Sequence, residues 1–151
     1  MIYVFNLIKK NEMEAKNFRI GNLVYYNKYT RNGEDRNFFV RDLYFENDKI
    51  GLTTGKIQTT VDMENIKPIK LTERLINRLG FKQVYESDFS KTFECEQDFS
   101  FEFKWNKTFG LFLKYKGETL KNIIYVHQLQ NVFFAITNTE LELKQELSAC
   151  S

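Results

Sequence analysis

Proline occurs once, at position 68, histidine once, at 127, and cysteine twice, at 95 and 150, in a chain of 151 residues. One proline and seven glycines leave no stretch for a long flexible or polyproline linker. Two cysteines so far apart do not make the disulfide framework of a small secreted domain, although spacing alone leaves a Cys95–Cys150 bridge open. One histidine and two cysteines cannot fill the usual structural zinc sets. There is no glycine-rich loop ahead of Lys and Ser/Thr, and no GxGxxG, so no phosphate cradle is expected. A strong excess of either charge is also missing. Residues 1–70 carry twelve basic and nine acidic groups, and residues 71–151 carry ten and eleven. Neither half reads as a basic nucleic-acid arm. No run approaches the apolar length of a membrane-spanning helix. The apolar stretch Ile2–Ile8 is short and is followed, not preceded, by Lys9 and Lys10, the wrong order for a signal peptide. A cytoplasmic protein with no membrane partner and no cofactor is expected.

Aromatic residues are abundant: fifteen Phe, eight Tyr and one Trp. They favour strands and fill a core from few positions, and most are assigned there. The rest can stack on bases or anchor an interface. The length fits one compact α+β domain, with subdomains 1–68 and 69–151.

Residues 2–8 read as a short strand, and 9–16 as a brief helix or a loop. Residues 18–26, FRIGNLVYY, place a turn at Gly21-Asn22 before a strand over Leu23–Tyr26. Residues 27–37, rich in Asn, Gly and acids, predict a mobile surface loop. Three extended segments follow, Phe38–Phe45, Lys49–Thr53 and Ile57–Val61, with polar turns at Asn47-Asp48 and Gly55. Short strands so closely punctuated predict a small antiparallel, SH3-like N-terminal sheet.

LTERLINRLGF, residues 71–81, predicts a helix of about two turns. Thr72 is placed as its cap, Glu73 lies in the first turn, and Gly80 marks its end. Leu75, Ile76 and Leu79 form the apolar face. Lys82–Tyr85, Phe89–Cys95, Phe99–Trp105 and Phe109–Tyr115 read as extended, with turns at Asn106-Lys107 and Lys116-Gly117. In the third, Phe99, Phe101, Phe103 and Trp105 alternate with polar residues, which predicts one aromatic and one wet face. Residues 123–137 switch to a period of three and four, predicting a core helix across this second, aromatic-rich antiparallel sheet. Residues 139–147 fit a final strand or a second short helix equally.

His127 follows Val126 in that helix, and no positioned nucleophile marks a Ser–His or Cys–His pair. A partly buried imidazole with a satisfied hydrogen bond is expected. Glu94 and Glu96 are expected on one strand face, as are Asp98, Ser100 and Glu102. Acids so placed are usually solvated, and a glycosidase needs two facing across a cleft. No catalytic residue is assigned and no enzymatic activity is expected.

The densest basic cluster is Lys67, Lys70, Arg74, Arg78 and Lys82, interrupted only by Glu73. Arg74 and Arg78, four apart on a helix, point the same way. Such a cluster either solubilises a helix face or meets phosphates and acidic partners. Arg31, Arg36 and Arg41, near Tyr25, Tyr26 and Tyr29, form a looser set of a kind that suits RNA and protein interfaces alike.

FRIGNLVYY, ENIKPIKLTERLINRLGF and YVHQLQNVFFAITNTELEL, in that order, resemble blocks of a family of small proteins encoded by phages, prophages and mobile elements of Bacteroidetes. Val126–Asn131 with Phe133-Phe134-Ala135 and Glu140-Leu141 is the most specific part. The chain departs from the family's pattern in the residues before Phe18 and in the enlarged Asn27–Asn37 loop. The resemblance implies no enzyme activity. It implies a binding protein acting on a host defence protein or ribonucleoprotein, similar to anti-CRISPR proteins of flavobacterial phages aimed at type VI-B RNA-guided nucleases, with RNA contact as a further expectation. The other function in view is a nucleic-acid-binding accessory protein of a phage or mobile element.

Overall fold

The computed structural model describes residues 17–26, 37–44, 49–108, 110–120, 123–141 and 143–144, with backbone alone for 37–39 and 41–44. The expected strand at 2–8, the 9–16 segment, most of the 27–37 loop, the Asn47-Asp48 turn and the tail beyond 144 lie outside these residues. The fold is α+β, with two antiparallel five-stranded sheets and two α-helices among the described residues. It divides into two compact units, Met1–Lys67 and Pro68–Ser151.

In the first unit the strands are β1 (Leu23–Tyr26), β2 (Asn37–Tyr44), β3 (Lys49–Thr53), β4 (Gln58–Asp62) and β5 (Ile66–Lys67). Their order across the sheet is β4-β3-β2-β1-β5. A 3-10 turn over Met63–Asn65 carries the chain from β4 to β5. Its core gathers Phe18, Val24, Val40, Ile50, Leu52, Val61, Met63 and Ile66, with Tyr26 and Ile57 packed against it. The turn before β1 is fixed by Asn22, which is fully buried: its Oδ1 accepts from the Arg19 amide at 2.7 Å, and its carbonyl accepts from Val40 N at 2.9 Å. Gly21 takes φ +92°, a left-handed conformation that glycine adopts without a Cβ clash.

The second unit opens with α1 (Glu73–Arg78). Thr72 Oγ1 accepts from Leu75 N at 3.3 Å, the cap read from the sequence, and it satisfies one of the free first-turn amides. Gly80 leaves the helix at φ +84°. Strands β6 (Phe81–Glu86), β7 (Ser90–Cys95), β8 (Phe101–Asn106), β9 (Gly110–Tyr115) and β10 (Glu118–Thr119) then form a meander in the order β10-β9-β8-β7-β6. Lys116 and Gly117 both have positive φ, as a tight hairpin between twisted strands requires. The last helix, α2, is Val126–Thr137.

Alternation in β8 sends Phe101 and Phe103 inward, where both are fully buried, and leaves Trp105 half-buried. The Phe103 ring meets Phe81 edge-on at 5.0 Å, and Phe101 lies 5.0 Å from Phe133 of α2. The helix therefore sits on the aromatic face. Each buried ring contributes about 2–3 kcal/mol of hydrophobic stabilisation. Phe99 is a correction: it lies in the turn before β8 and is 75% exposed. The Asp98 carboxylate accepts from Ser100 N at 2.9 Å, and this local turn delays the strand until Phe101.

The core helix also starts later than residue 123. Ile124 O accepts from Leu71 N at 2.8 Å, and Val126 N donates to Ile69 O at 2.9 Å. This short antiparallel bridge holds residues 124–126 extended. Gln128 Oε1 reaches back to accept from the amides of Ile124 and Tyr125, and the helix runs from there. Residues 139–141, 143 and 144 form neither helix nor strand, and Lys144 N donates to Arg78 O at 2.7 Å.

Candidate functional site

The basic residues of the second unit occupy different surfaces. Lys70 is exposed in the bridge segment, and Arg74 is exposed in the first turn of α1. Arg78, in the last turn, is half-buried, and among the described residues its Nε has no hydrogen-bond partner. Lys82 belongs to the other side of the sheet. It pairs with Glu94, whereas the adjacent Phe81 pairs with buried Cys95. α1 lies over the Phe81 side, since its Glu73 meets Lys91, which faces Trp105 on the inner surface. Lys70, Arg74 and Arg78 thus share one short segment, and Lys82 points away from the face that α1 covers.

Lys67 is exposed on β5 of the first unit, directly opposite Tyr25. Tyr25 and Tyr26 are half-buried, and Tyr26 packs on the first core. Arg41 lies in β2, where only the backbone is described. Tyr29, Arg31 and Arg36 lie outside the described residues.

The acids do not form the expected faces. β7 ends at Cys95, so Glu96 leaves the strand: its amide donates to Gly80 O at 2.8 Å and its carboxylate pairs with Lys144. Asp98 and Ser100 belong to the turn and not to the strand of Glu102. Glu94 and Glu102 do stand directly opposite each other, on β7 and β8. Lys82 flanks Glu94 and Lys114 flanks Glu102 in the same row. Like charges opposite one another destabilise a sheet, and the flanking lysines offset this. The next row is Tyr85, Thr92, Lys104 and Phe112. Lys104 Nζ lies 3.6 Å from Glu102. Among the described residues no group of three or more His, Cys, Asp or Glu could hold a metal ion.

His127 is buried at 4% exposure, its ring stacked 5.9 Å from Tyr125, and desolvation lowers its pKa to about 4. It stays a neutral imidazole at physiological pH. Cys95 is a buried free thiol whose pKa burial raises, so little nucleophilic thiolate forms.

One surface had no signal in the sequence. Val84 and Tyr85 on β6 are 51% and 55% exposed, and Phe89, in the following hairpin, is 67% exposed. Lys107 Nζ lies 6.0 Å from the Phe89 ring, and Lys107 N donates to Phe89 O at 3.0 Å. These large side chains fall within six residues of sequence, on and just after the strand that ends this sheet among the described residues. Exposure there follows from strand order, which KQVYE does not encode.

Among the described residues no helix is long and apolar enough to cross a membrane. Comparison with protein-family models, curated proteins and solved structures finds no match to this chain.

Proposed function

We propose that this chain is a non-enzymatic binding protein of a phage or mobile element that inhibits a host defence effector in the host cytoplasm. A type VI-B RNA-guided RNA-targeting nuclease, or its guide-RNA complex, is the target we favour. The observation that carries the reading is the exposure of Lys70 and Arg74 on a segment braced at both ends. The bridge to Ile124–Val126 holds one end, and the Lys144 amide on Arg78 O holds the other. A segment braced in this way loses little backbone entropy when its cations meet phosphates or carboxylates. The resemblance of the three sequence blocks to phage-encoded proteins supports the biological setting.

The first unit is read as an SH3-like barrel. Four consecutive strands in a meander, then a 3-10 turn and a return strand beside β1, support this. Barrels of this kind present loops and a curved face to partners.

Affinity capture from host lysate, with and without nuclease digestion, tests the proposal. One effector protein retained after digestion, and lost from a Lys70→Glu/Arg74→Glu variant, is the expected result. An effector that keeps full activity with the purified chain in excess would sink the inhibitor reading.

A second reading, a nucleic-acid-binding accessory protein, is favoured by the sheet face opposite the helices. There Lys82, Lys104 and Lys114 lie among Tyr85 and Phe112. Bases stack on exposed rings while lysines follow the backbone. It predicts binding to bare RNA or DNA that weakens steeply with salt.

A further inference from the structure

We propose that the outer face of the second-unit sheet carries two nucleotide subsites of the same make-up, which take bases bearing an exocyclic amino group from a single strand of nucleic acid. The inference rests on the nucleic-acid reading of this face, and adds to it the strandedness and the bases.

Two adjacent rows of the face are Lys82, Glu94, Glu102 and Lys114, then Tyr85, Thr92, Lys104 and Phe112. The register shift between Gln83 and Tyr85 keeps Lys82 and Tyr85 on one side of β6, since their partners Glu94 and Thr92 are two apart on β7. The rows repeat a grouping of three. Tyr85 stands diagonal to Glu94 and next to Lys82 along its own strand. Phe112 stands diagonal to Glu102 and next to Lys114 along its own. Diagonal neighbours on a sheet lie about 7–8 Å apart, within reach of a ring and a long side chain. Lys104 falls between the two groups, with its Nζ 3.6 Å from Glu102.

Each group supplies what one nucleotide needs: a ring on which a base stacks, a cation for a phosphate and an acceptor for the base edge. Lys82, Lys104 and Lys114 outnumber Glu94 and Glu102, so the two rows are net positive and complement a phosphate backbone. Tyr85 is exposed and Phe112 is half-buried. Three strand spacings separate these rings, about 14 Å. Bases in a duplex strand rise about 3.4 Å each and cover one another's faces. Only bases splayed from an unpaired strand can therefore lie on both rings.

The carboxylates select the base. An ionised carboxylate only accepts hydrogen bonds and repels phosphate, so it suits a base edge that donates. Cytosine, adenine and guanine carry an exocyclic amino group, whereas thymine and uracil present carbonyl oxygens instead. Glu94 and Glu102 thus favour the first three bases and reject the other two.

Fluorescence anisotropy of the full chain with short labelled homo-oligomers tests this, with Trp105 fluorescence and thermal melts confirming that each variant folds. The probes are oligo-C, oligo-A and oligo-U as RNA, oligo-dC, oligo-dA and oligo-dT as DNA, and a duplex of the same length. Cytosine and adenine oligomers should bind about tenfold tighter than uracil or thymine ones, and the duplex more weakly than oligo-C. The ribose and deoxyribose series, side by side, assign the source of the strand. Tyr85→Ala and Phe112→Ala should each weaken oligo-C binding about tenfold. Glu94→Gln/Glu102→Gln should bring uracil level with cytosine, because an amide donates as well as accepts. Equal binding of uracil and cytosine by the wild type overturns the inference while the nucleic-acid reading stands. So does a duplex bound as tightly as oligo-C, or a glutamine variant that keeps the preference. Binding to none of the probes overturns that reading as well.

Discussion

Lys91 Nζ donates to both carboxylate oxygens of Glu73, at 3.1 and 3.3 Å, and so ties β7 to the first turn of α1. The same ammonium lies 3.2 Å from Glu86 Oε1 on β6. A helix as short as α1 does not persist alone in water, and this contact supplements its apolar face. Hydrogen bonds to Glu73 and Glu86 hold Lys91 above its usual 10.5. Hydrogen bonds from Gln83 and Lys91 hold Glu86 below its usual 4.5.

Replacing Lys91 with Met keeps the stem and removes the charge. A raised lysine pKa stabilises the fold below its unfolded value, and that contribution is lost as pH rises through the folded one. A lowered glutamate pKa stabilises above its unfolded value and is lost as pH falls. The wild type should exceed Lys91→Met most between about pH 4.5 and 10.5, with the urea midpoints converging at both extremes. Parallel curves across the whole range would show that the ion contacts contribute nothing.

His127 makes an acid-side prediction. Its imidazole pKa falls from 6.5 to about 4 in the fold. As pH drops below 6.5 the unfolded chain takes up a proton that the folded chain refuses, so stability declines until about pH 4 and then levels. The full difference is on the order of 3 kcal/mol. His127→Gln should remove this part of the slope. Because the chain has a single histidine, one NMR imidazole signal reports the titration directly.

Gly80→Ala should cost about 1–2 kcal/mol, because φ is +84° and the left-handed region is unfavourable for alanine. Space is not the obstacle, as the methyl would meet Lys144 Cε at an ordinary 3.8 Å. Thermal melts measure the loss, and an unchanged midpoint would contradict it.

Phe101 is flanked by Tyr115 at 4.7 Å and by Phe133 at 5.0 Å. Phe101→Ala should cost about 3–5 kcal/mol through the lost transfer energy and the cavity left behind. Trp105, the only tryptophan, lies on the same strand, so its fluorescence follows denaturation of the second unit.

The strands over Leu23–Tyr26 and Lys49–Thr53 and the Thr72 cap were legible because each carries a local signal: a turn, alternation or a capping residue. β5 and β10 were not, since two residues have no period. The start of α2 was hidden because Ile123 is buried at helical spacing yet precedes a bridge made by a distant segment. The basic cluster was legible as residue types only. The opposite orientation of Lys82 depends on its pairing with Glu94, and the exposure of Val84 and Tyr85 depends on β6 being last in the sheet.

The pairing of β1 with β5, Tyr25 opposite Lys67 and Tyr26 opposite Ile66, joins the earliest and latest described strands of the first unit. During synthesis, β2, β3 and β4 can zip as neighbours while β1 still lacks its second partner. Closure waits for Ile66 and Lys67 to clear the ribosome, just ahead of Pro68. Such a long-range ladder forms late, because the intervening loop must be closed first. A chain stalled before Ile66 would carry β1 with one bare edge, and nascent-chain proteolysis should find the first unit protected only once that two-residue strand is out.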